Sequence, residues 1–380
     1  MFYEKQNNNN KENYSTLLKT VGAMSNLFSD SYVPYMDYRV VENIFCKAFD
    51  GNNLSRLDCS VDVSKDNIGI GIKTFLHSNG KTFQKIAEFN DKSSEIRKID
   101  NILLKVQFIS NLRNERINVT ERLYGLKKSI YHCLTRQENK FNVFELEMDK
   151  INLSKIKIIK YDDKSIIFTD EINEYNFNIS KSVLMRRFNL NSPLLELPIT
   201  IVNDPYELLI NALTNKFTVK KENIKYITAF LPLYSFDKSI NKKYVPKKSA
   251  LNQWNASGRK RNLNEVYINI PSIFNKENSD FFPNRDKSFK LLLPNGKELD
   301  AKVCQDNSKA LMSNPNSVLG KWLLRDILQL NEGELVTYEK LSDLGIDSVV
   351  ITKISNEKYK INFAKSGSYD NFINNQEEVI

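Results

Sequence analysis

The period of the apolar positions changes several times along the first half of the chain. Residues 1–14 are polar, with an amide-rich run from Gln6 to Asn10, and read as a frayed terminus. From Tyr35 the spacing is helical: Val40, Val41, Ile44, Phe45 and Ala48 share a face, and Gly51 ends the run. Period-two alternation follows. Cys59, Val61 and Val63 lie on one face, with Asp58, Ser60 and Asp62 on the other. Residues 64–67 read as a turn into a second strand over Ile68–Phe75, where Ile68, Ile70 and Ile72 share one face and Gly69, Gly71 and Lys73 the other. A third strand is expected over Lys85–Phe89. Ile96, Ile99, Leu103, Val106 and Ile109 predict a long amphipathic helix, Thr120–Leu134 a second one, and residues 141–148, 156–161 and 166–169 further strands.

The character changes after about residue 225. Short strands are expected at Tyr226–Leu231, Glu265–Ile270, Phe289–Leu293, Leu299–Val303, Val349–Ile354 and Tyr359–Phe363, with one helix over Val318–Leu330. Asn295-Gly296 between two of them is a hairpin signal, because the tight turn needs positive φ. The fold class expected is α/β (α+β). A domain over residues 1–225 would have a mixed sheet flanked by helices, and one over 226–380 a small barrel-like β structure.

Composition narrows the function. The chain of 380 residues is 41% hydrophobic with 22 Phe and 17 Tyr, enough for folded cores. The formal net charge of +9 favours an anionic partner. Cys46, Cys59, Cys133 and Cys304 are far apart and form no CxxC pair, which argues against a structural zinc site and for a reducing compartment. No apolar run approaches membrane-spanning length and no leader pattern is visible, so a cytoplasmic protein without a membrane partner is expected.

Asp62 and Lys73 fall on consecutive strands, beside a strand face that the glycines would leave open for a metal and a phosphate. Phosphodiester cleavage uses carboxylates to hold Mg²⁺ and a lysine to polarise water and stabilise the negative transition state. An Asp and a Lys on a hairpin are also common on solvated surfaces. The arrangement resembles the PD-(D/E)XK nuclease motif, with one departure: the acid two residues before the lysine is replaced by Gly71. Glu88 on the following strand is the candidate second metal carboxylate with Asp62, and Glu42 on the preceding helix an additional one. His77 and His132 lack the partner pattern of nucleophilic catalysis.

The C-terminal part carries longer motifs. They are Leu251-Asn252-Gln253-Trp254-Asn255-Ala256-Ser257-Gly258-Arg259-Lys260-Arg261, Phe281-Phe282-Pro283, Leu293-Pro294-Asn295-Gly296, residues 301–316 and Gly320-Lys321-Trp322-Leu323-Leu324-Arg325. Over residues 226–360 they resemble the C-terminal DNA-binding domain of NgoFVII-type restriction endonucleases, itself similar to the plant B-three pseudobarrel. In that family the partner domain is often a phospholipase-D-like nuclease with paired HxK motifs. Neither His77 nor His132 begins one, so a different nuclease domain is implied. Residues 34–88, with Asn53-Leu54-Ser55-Arg56 and Gly69-Ile70-Gly71-Ile72-Lys73-Thr74-Phe75, look like the N-terminal domains of other restriction enzymes.

By that resemblance two arms enter the major groove. The first would carry Gln253, Trp254, Asn255, Arg259, Lys260 and Arg261, and the second Gln305, Asp306, Asn307, Lys309 and Asn314. The residues alone agree: between positions 241 and 261 stand Lys242, Lys243, Lys247, Lys248, Arg259, Lys260 and Arg261 without an acid. Such cations neutralise phosphates, while Arg, Asn and Gln discriminate bases. Arg259 and Arg261 are the expected guanine readers, Lys242 and Lys243 the phosphate contacts; Trp322, Leu323 and Ile327 read as core. The implied protein is a type II restriction endonuclease, acting on double-stranded DNA with Mg²⁺ and encoded beside a cognate DNA methyltransferase. Cutting both strands suggests a homodimer or a transient synapsis on DNA. The alternative is a non-catalytic, sequence-specific DNA-binding regulator with an inactive nuclease domain.

Overall fold

The computed structural model describes residues 1–54, 59–214, 227–237, 239–278 and 280–377. Asp58, Ser55, Arg56, Tyr226 and the expected boundary between residues 225 and 226 lie outside the described residues. The chain forms two compact units: Met1–Ile117 with Leu126–Glu222, and Asn118–Gly125 with Asn223–Ile380.

The first unit opens with helix α1 (Asn8–Ala23), where a frayed terminus was expected. Asn7 caps it by accepting the N–H of Asn10 at 2.8 Å, and its Tyr14 and Leu18 are fully buried, with Leu17 and Val21 partly buried beside them. Phe2 and Tyr3 are buried too, and the Phe2 ring stacks on Phe45 with centroids 5.3 Å apart. Sparse apolar residues therefore order a polar segment, because each meets a complementary pocket. Helix α2 (Tyr38–Phe49) starts at Asp37, which accepts the N–H of Arg39, and stops at Asp50 in the left-handed region (φ 52°).

Strands β1 (Asn52–Asn53), β2 (Val63–Lys65) and β3 (Ile68–Leu76) come next, then β4 (Lys81–Glu88), helices α3 (Ser93–Arg97) and α4 (Ile102–Tyr124), β5 (Lys128–Gln137) and β6 (Lys140–Glu147). The expected strand over Cys59–Val63 is thus shifted. The turn after it is only Asp66-Asn67, both left-handed (φ 51° and 60°), as a two-residue type I′ hairpin demands. The predicted helix over Thr120–Leu134 is overturned: α4 ends at Tyr124, Gly125 takes φ 65°, and β5 begins at Lys128. Residues 129–135 are buried at every position, so this strand shows no period of two and reads like a buried helix. Leu103 is exposed, while Val106 and Ile109 carry the buried stripe of α4.

β7 (Lys157–Tyr161), β8 (Ser165–Thr169), β9 (Glu174–Asn178), β10 (Val183–Asn189), β11 (Leu195–Pro198) and helix α5 (Pro205–Thr214) complete this unit. One sheet has the order β1-β2-β3-β5-β6-β11, with β3 and β5 parallel and the chain returning through β4 and α4. Val41, Phe45 and Phe49 of α2 pack on its Ile70, Ile72, Ile130 and Leu134 face. The other sheet, β4-β10-β9-β8-β7, packs Phe168, Phe177 and Leu184 against Ile96, Val106 and Ile109.

The second unit has strands β12 (Thr228–Pro232), β13 (Ser235–Asp237), β14 (Lys242–Tyr244), β15 (Ile268–Asn269), β16 (Ser288–Leu292), β17 (Glu298–Cys304), β18 (Ala310–Ser313), β19 (Ile346–Lys353) and β20 (Lys358–Lys365). Its helices are α6 (Ser272–Glu277), α7 (Val318–Gly320), α8 (Tyr338–Asp343) and α9 (Ser368–Glu377). Seven strands form one sheet, β12-β19-β20-β16-β17-β18-β15, whose two edges touch, so it nearly closes into the expected barrel. Asn295-Gly296 turns β16 into β17, with Gly296 at φ 82°. The predicted helix at Val318 becomes α7 and a π-helical turn, Lys321–Ile327, that buries Trp322, Leu323 and Ile327 as core. No helix among the described residues is long and apolar enough to cross a membrane.

Candidate DNA interface and catalytic site

The first arm leaves the barrel after a 3₁₀ turn, Ala250–Asn255, and returns into β15. The second joins β17 to β18, and β18 pairs with β15. Tyr267, at the end of the first arm, packs on Cys304, Ala310 and Met312 at the root of the second. Ile270 N donates to Lys309 O at 2.8 Å. Both arms are therefore rooted on one strand pair.

Within the first arm the buried Glu265 is a hub. Its Oε1 accepts from Gln253 Nε2 at 3.0 Å and from Arg259 at 2.5 Å, with Arg261 Nε at 3.7 Å. Arg261 also donates to the carbonyls of Ala256, Ser257 and Arg259, and so closes the loop on itself. Arg259, Lys260 and Asn255 are exposed; Gln253, Trp254 and Arg261 are half-buried. Gln253 Oε1 and the Trp254 indole N–H are buried without a hydrogen-bond partner. In the second arm Asp306, Asn307, Lys309 and Asn314 are exposed and Gln305 half-buried. Gln305 (φ 66°, ψ 171°), Asn307 and Ser308 are left-handed, a strained run held by Asn275, which donates to the carbonyls of Asn307 and Ser308, and by Arg285 against Asp306 at 3.4 Å.

In the first unit Lys73 lies near enough to Asp62 for its charge to act on the carboxylate. Asp62 Oδ2 accepts the N–H of Ile72 at 2.7 Å, which latches the carboxylate to β3 beside Lys73. Burial raises the Asp62 pKa; Lys73, the Ile72 N–H and Arg39 pull it back, and the balance stays above the ordinary aspartate value. Glu42 is buried on α2 and pairs with Arg39 at 3.1 Å, which connects it to the same neighbourhood. Glu88 is not brought to them by β-pairing. It ends β4 in the other sheet, where Lys85 and Asn90 bond its carboxylate. The glycine face is filled rather than open. A Cβ on Gly71 would meet Met148 at 2.7 Å, and one on Gly69 would meet Leu126 and Val61 below 3.0 Å. The glycines thus admit packing side chains. For Mg²⁺ the fit is partial: Asp62 offers a hard oxygen donor, but no group of three or more His, Cys, Asp or Glu that could hold a metal is gathered among the described residues.

These arms and this barrel have a known counterpart. Residues 226–355 match the NgoFVII C-terminal B3-like DNA-binding domain. The match covers about a third of the chain and supports the expected resemblance there; it does not extend to the first unit. No curated protein matches the chain.

Three features of the B3-like domain escaped the sequence reading. Lys243, expected at phosphates, is held internally: Nζ lies 2.6 Å from Asp370 and 3.4 Å from Asp347, over the Tyr234 ring at 4.3 Å. Burial would lower its pKa, but the Asp370 and tyrosine contacts outweigh this and raise it. Arg325 clamps the end of the first arm through Asn264 Oδ1 at 2.8 Å and Leu263 O at 3.0 Å. Glu265 stands in a segment whose local pattern marks only a strand. Its one available signal was being the first acid after seven basic residues.

Proposed function

We propose that this protein is a type II restriction endonuclease that binds a specific site in double-stranded DNA through its B3-like domain and hydrolyses phosphodiester bonds with its N-terminal unit. The observation that carries this reading is the match of residues 226–355 to a restriction-enzyme DNA-binding domain. The latching of the Asp62 carboxylate to the Ile72 N–H, one residue from Lys73, supports the catalytic assignment. In this reading Asp62 is the Mg²⁺ ligand and Lys73 stabilises charge on the scissile phosphate. Glu88 and Glu42 remain the proposed additional carboxylates, and a dimer or synapsis on DNA, a neighbouring methyltransferase and a cytoplasmic location belong to the same proposal. The filled space at Gly71, where an acid would otherwise stand, favours a second reading as a DNA-binding regulator without catalysis.

Incubating the full chain with a plasmid library and Mg²⁺, with an EDTA control, tests the proposal. Discrete fragments that vanish with EDTA and with Asp62→Ala or Lys73→Ala, while specific binding persists, are expected. Sequence-specific binding without cleavage in any divalent cation would establish the regulator instead.

A further inference from the structure

We infer that Glu265 is the positioning residue of the first recognition arm, holding Arg259 in the orientation in which it reads its base pair. The inference rests on the reading of the arms as base-contacting loops. Glu265 is 3% exposed, whereas the Arg259 side chain it holds is 59% exposed, so a fixed carboxylate supports a cation at the surface. The Arg259–Glu265 contact is a charge-assisted bond to one terminal nitrogen of a guanidinium that carries five N–H donors. A guanidinium fixed in this way loses less rotamer entropy on meeting the guanine acceptor pair. Gln253 bonds the same oxygen from the opposite end of the arm, and Arg261 closes the loop between them. Gln253 and Arg261, expected to read bases, thus act through the arm's shape, and Arg259 is the reader they serve.

The test is selection of bound sites from a randomised duplex library by the full chain in EDTA, comparing wild type with Arg259→Ala, Glu265→Gln and Gln253→Met. Thermal melting of each variant is followed alongside. Arg259→Ala marks the base pairs that Arg259 reads. Glu265→Gln is expected to relax preference at those same base pairs by roughly ten-fold, with affinity for unrelated DNA and its salt slope unchanged. Gln253→Met is expected to relax them by a smaller factor, and it carries the test should Glu265→Gln unfold. A wild-type preference that survives in the folded variants overturns the inference while leaving the DNA-reading function intact. A wild-type protein with no preference overturns both.

Discussion

Gly320→Ala sets two effects of opposite sign against each other. Gly320 is helical (φ −70°), and alanine is favoured over glycine in a helix by about 1 kcal/mol, so propensity alone predicts stabilisation. The surroundings predict the reverse. A Cβ there would lie 1.9 Å from Asn264 O, 2.7 Å from its carbonyl carbon and 3.1 Å from Val266 Cγ2. Real Cβ contacts essentially never fall below 3.0 Å, so α7 and the end of the first arm must separate by about 1 Å. Neither side yields easily. Arg325 holds Asn264 and Leu263, and Leu319, Trp322 and Leu323 are buried on the helix side. Overpacking costs ~1–3 kcal/mol, and backbone against backbone belongs at the upper end. The net expectation is ~2 kcal/mol of destabilisation, or a fall of roughly 4–8 °C in the melting transition of the B3-like domain. Calorimetry on the full chain measures it. Because the strain enters at the first arm, specific DNA affinity should fall as well. An unchanged or raised melting temperature would refute the steric argument.

Asp62→Asn should abolish cleavage without lowering stability near neutral pH, since it removes a charge that burial disfavours; a large drop in melting temperature would contradict this. The raised Asp62 pKa also fixes the sign of the pH dependence. Its stabilising contribution is present below the ordinary aspartate value of 3.8 and is lost as pH rises through the folded-state value, and cleavage should fail on the acid side above the ordinary aspartate range, as a pH–rate profile would report. Lys243→Met should cost about 1–3 kcal/mol, the lower part of the range for a partly exposed network, and leave the salt slope of DNA binding unaltered. Replacing exposed Lys260 by Ala should reduce that slope by about one while stability holds, a contrast that salt titrations of both variants decide. Tyr14→Phe removes the hydroxyl 2.8 Å from His132 Nε2 in a fully buried chain that continues from His132 Nδ1 to Glu145 at 3.0 Å, and should cost ~1–3 kcal/mol by denaturant titration.

Elements whose signals are local were legible along the chain. The β3 alternation, the α2 stripe, the Asn295-Gly296 hairpin and the basic arm are each specified by neighbours a few residues apart, and the motifs of the B3-like domain were legible for the same reason. The hold of the Asp62 carboxylate on the Ile72 N–H of β3 followed from a short hairpin. The remainder depended on contacts between residues distant along the chain. Positions 129–135 of β5 are all buried, which erases its periodicity, and the polar start of the chain became ordered through contacts of Phe2, Tyr3 and Tyr14 with residues far along the sequence. Glu88 went to a second sheet because β4 pairs with β10, about a hundred residues later. The glycines of β3 proved to make room for Met148, Leu126 and Val61. Lys243 and Arg261 looked like surface cations, yet Asp347, Asp370 and Glu265 were waiting for them. Charge that is counted along a chain is neutralised in space, by partners that sequence distance conceals.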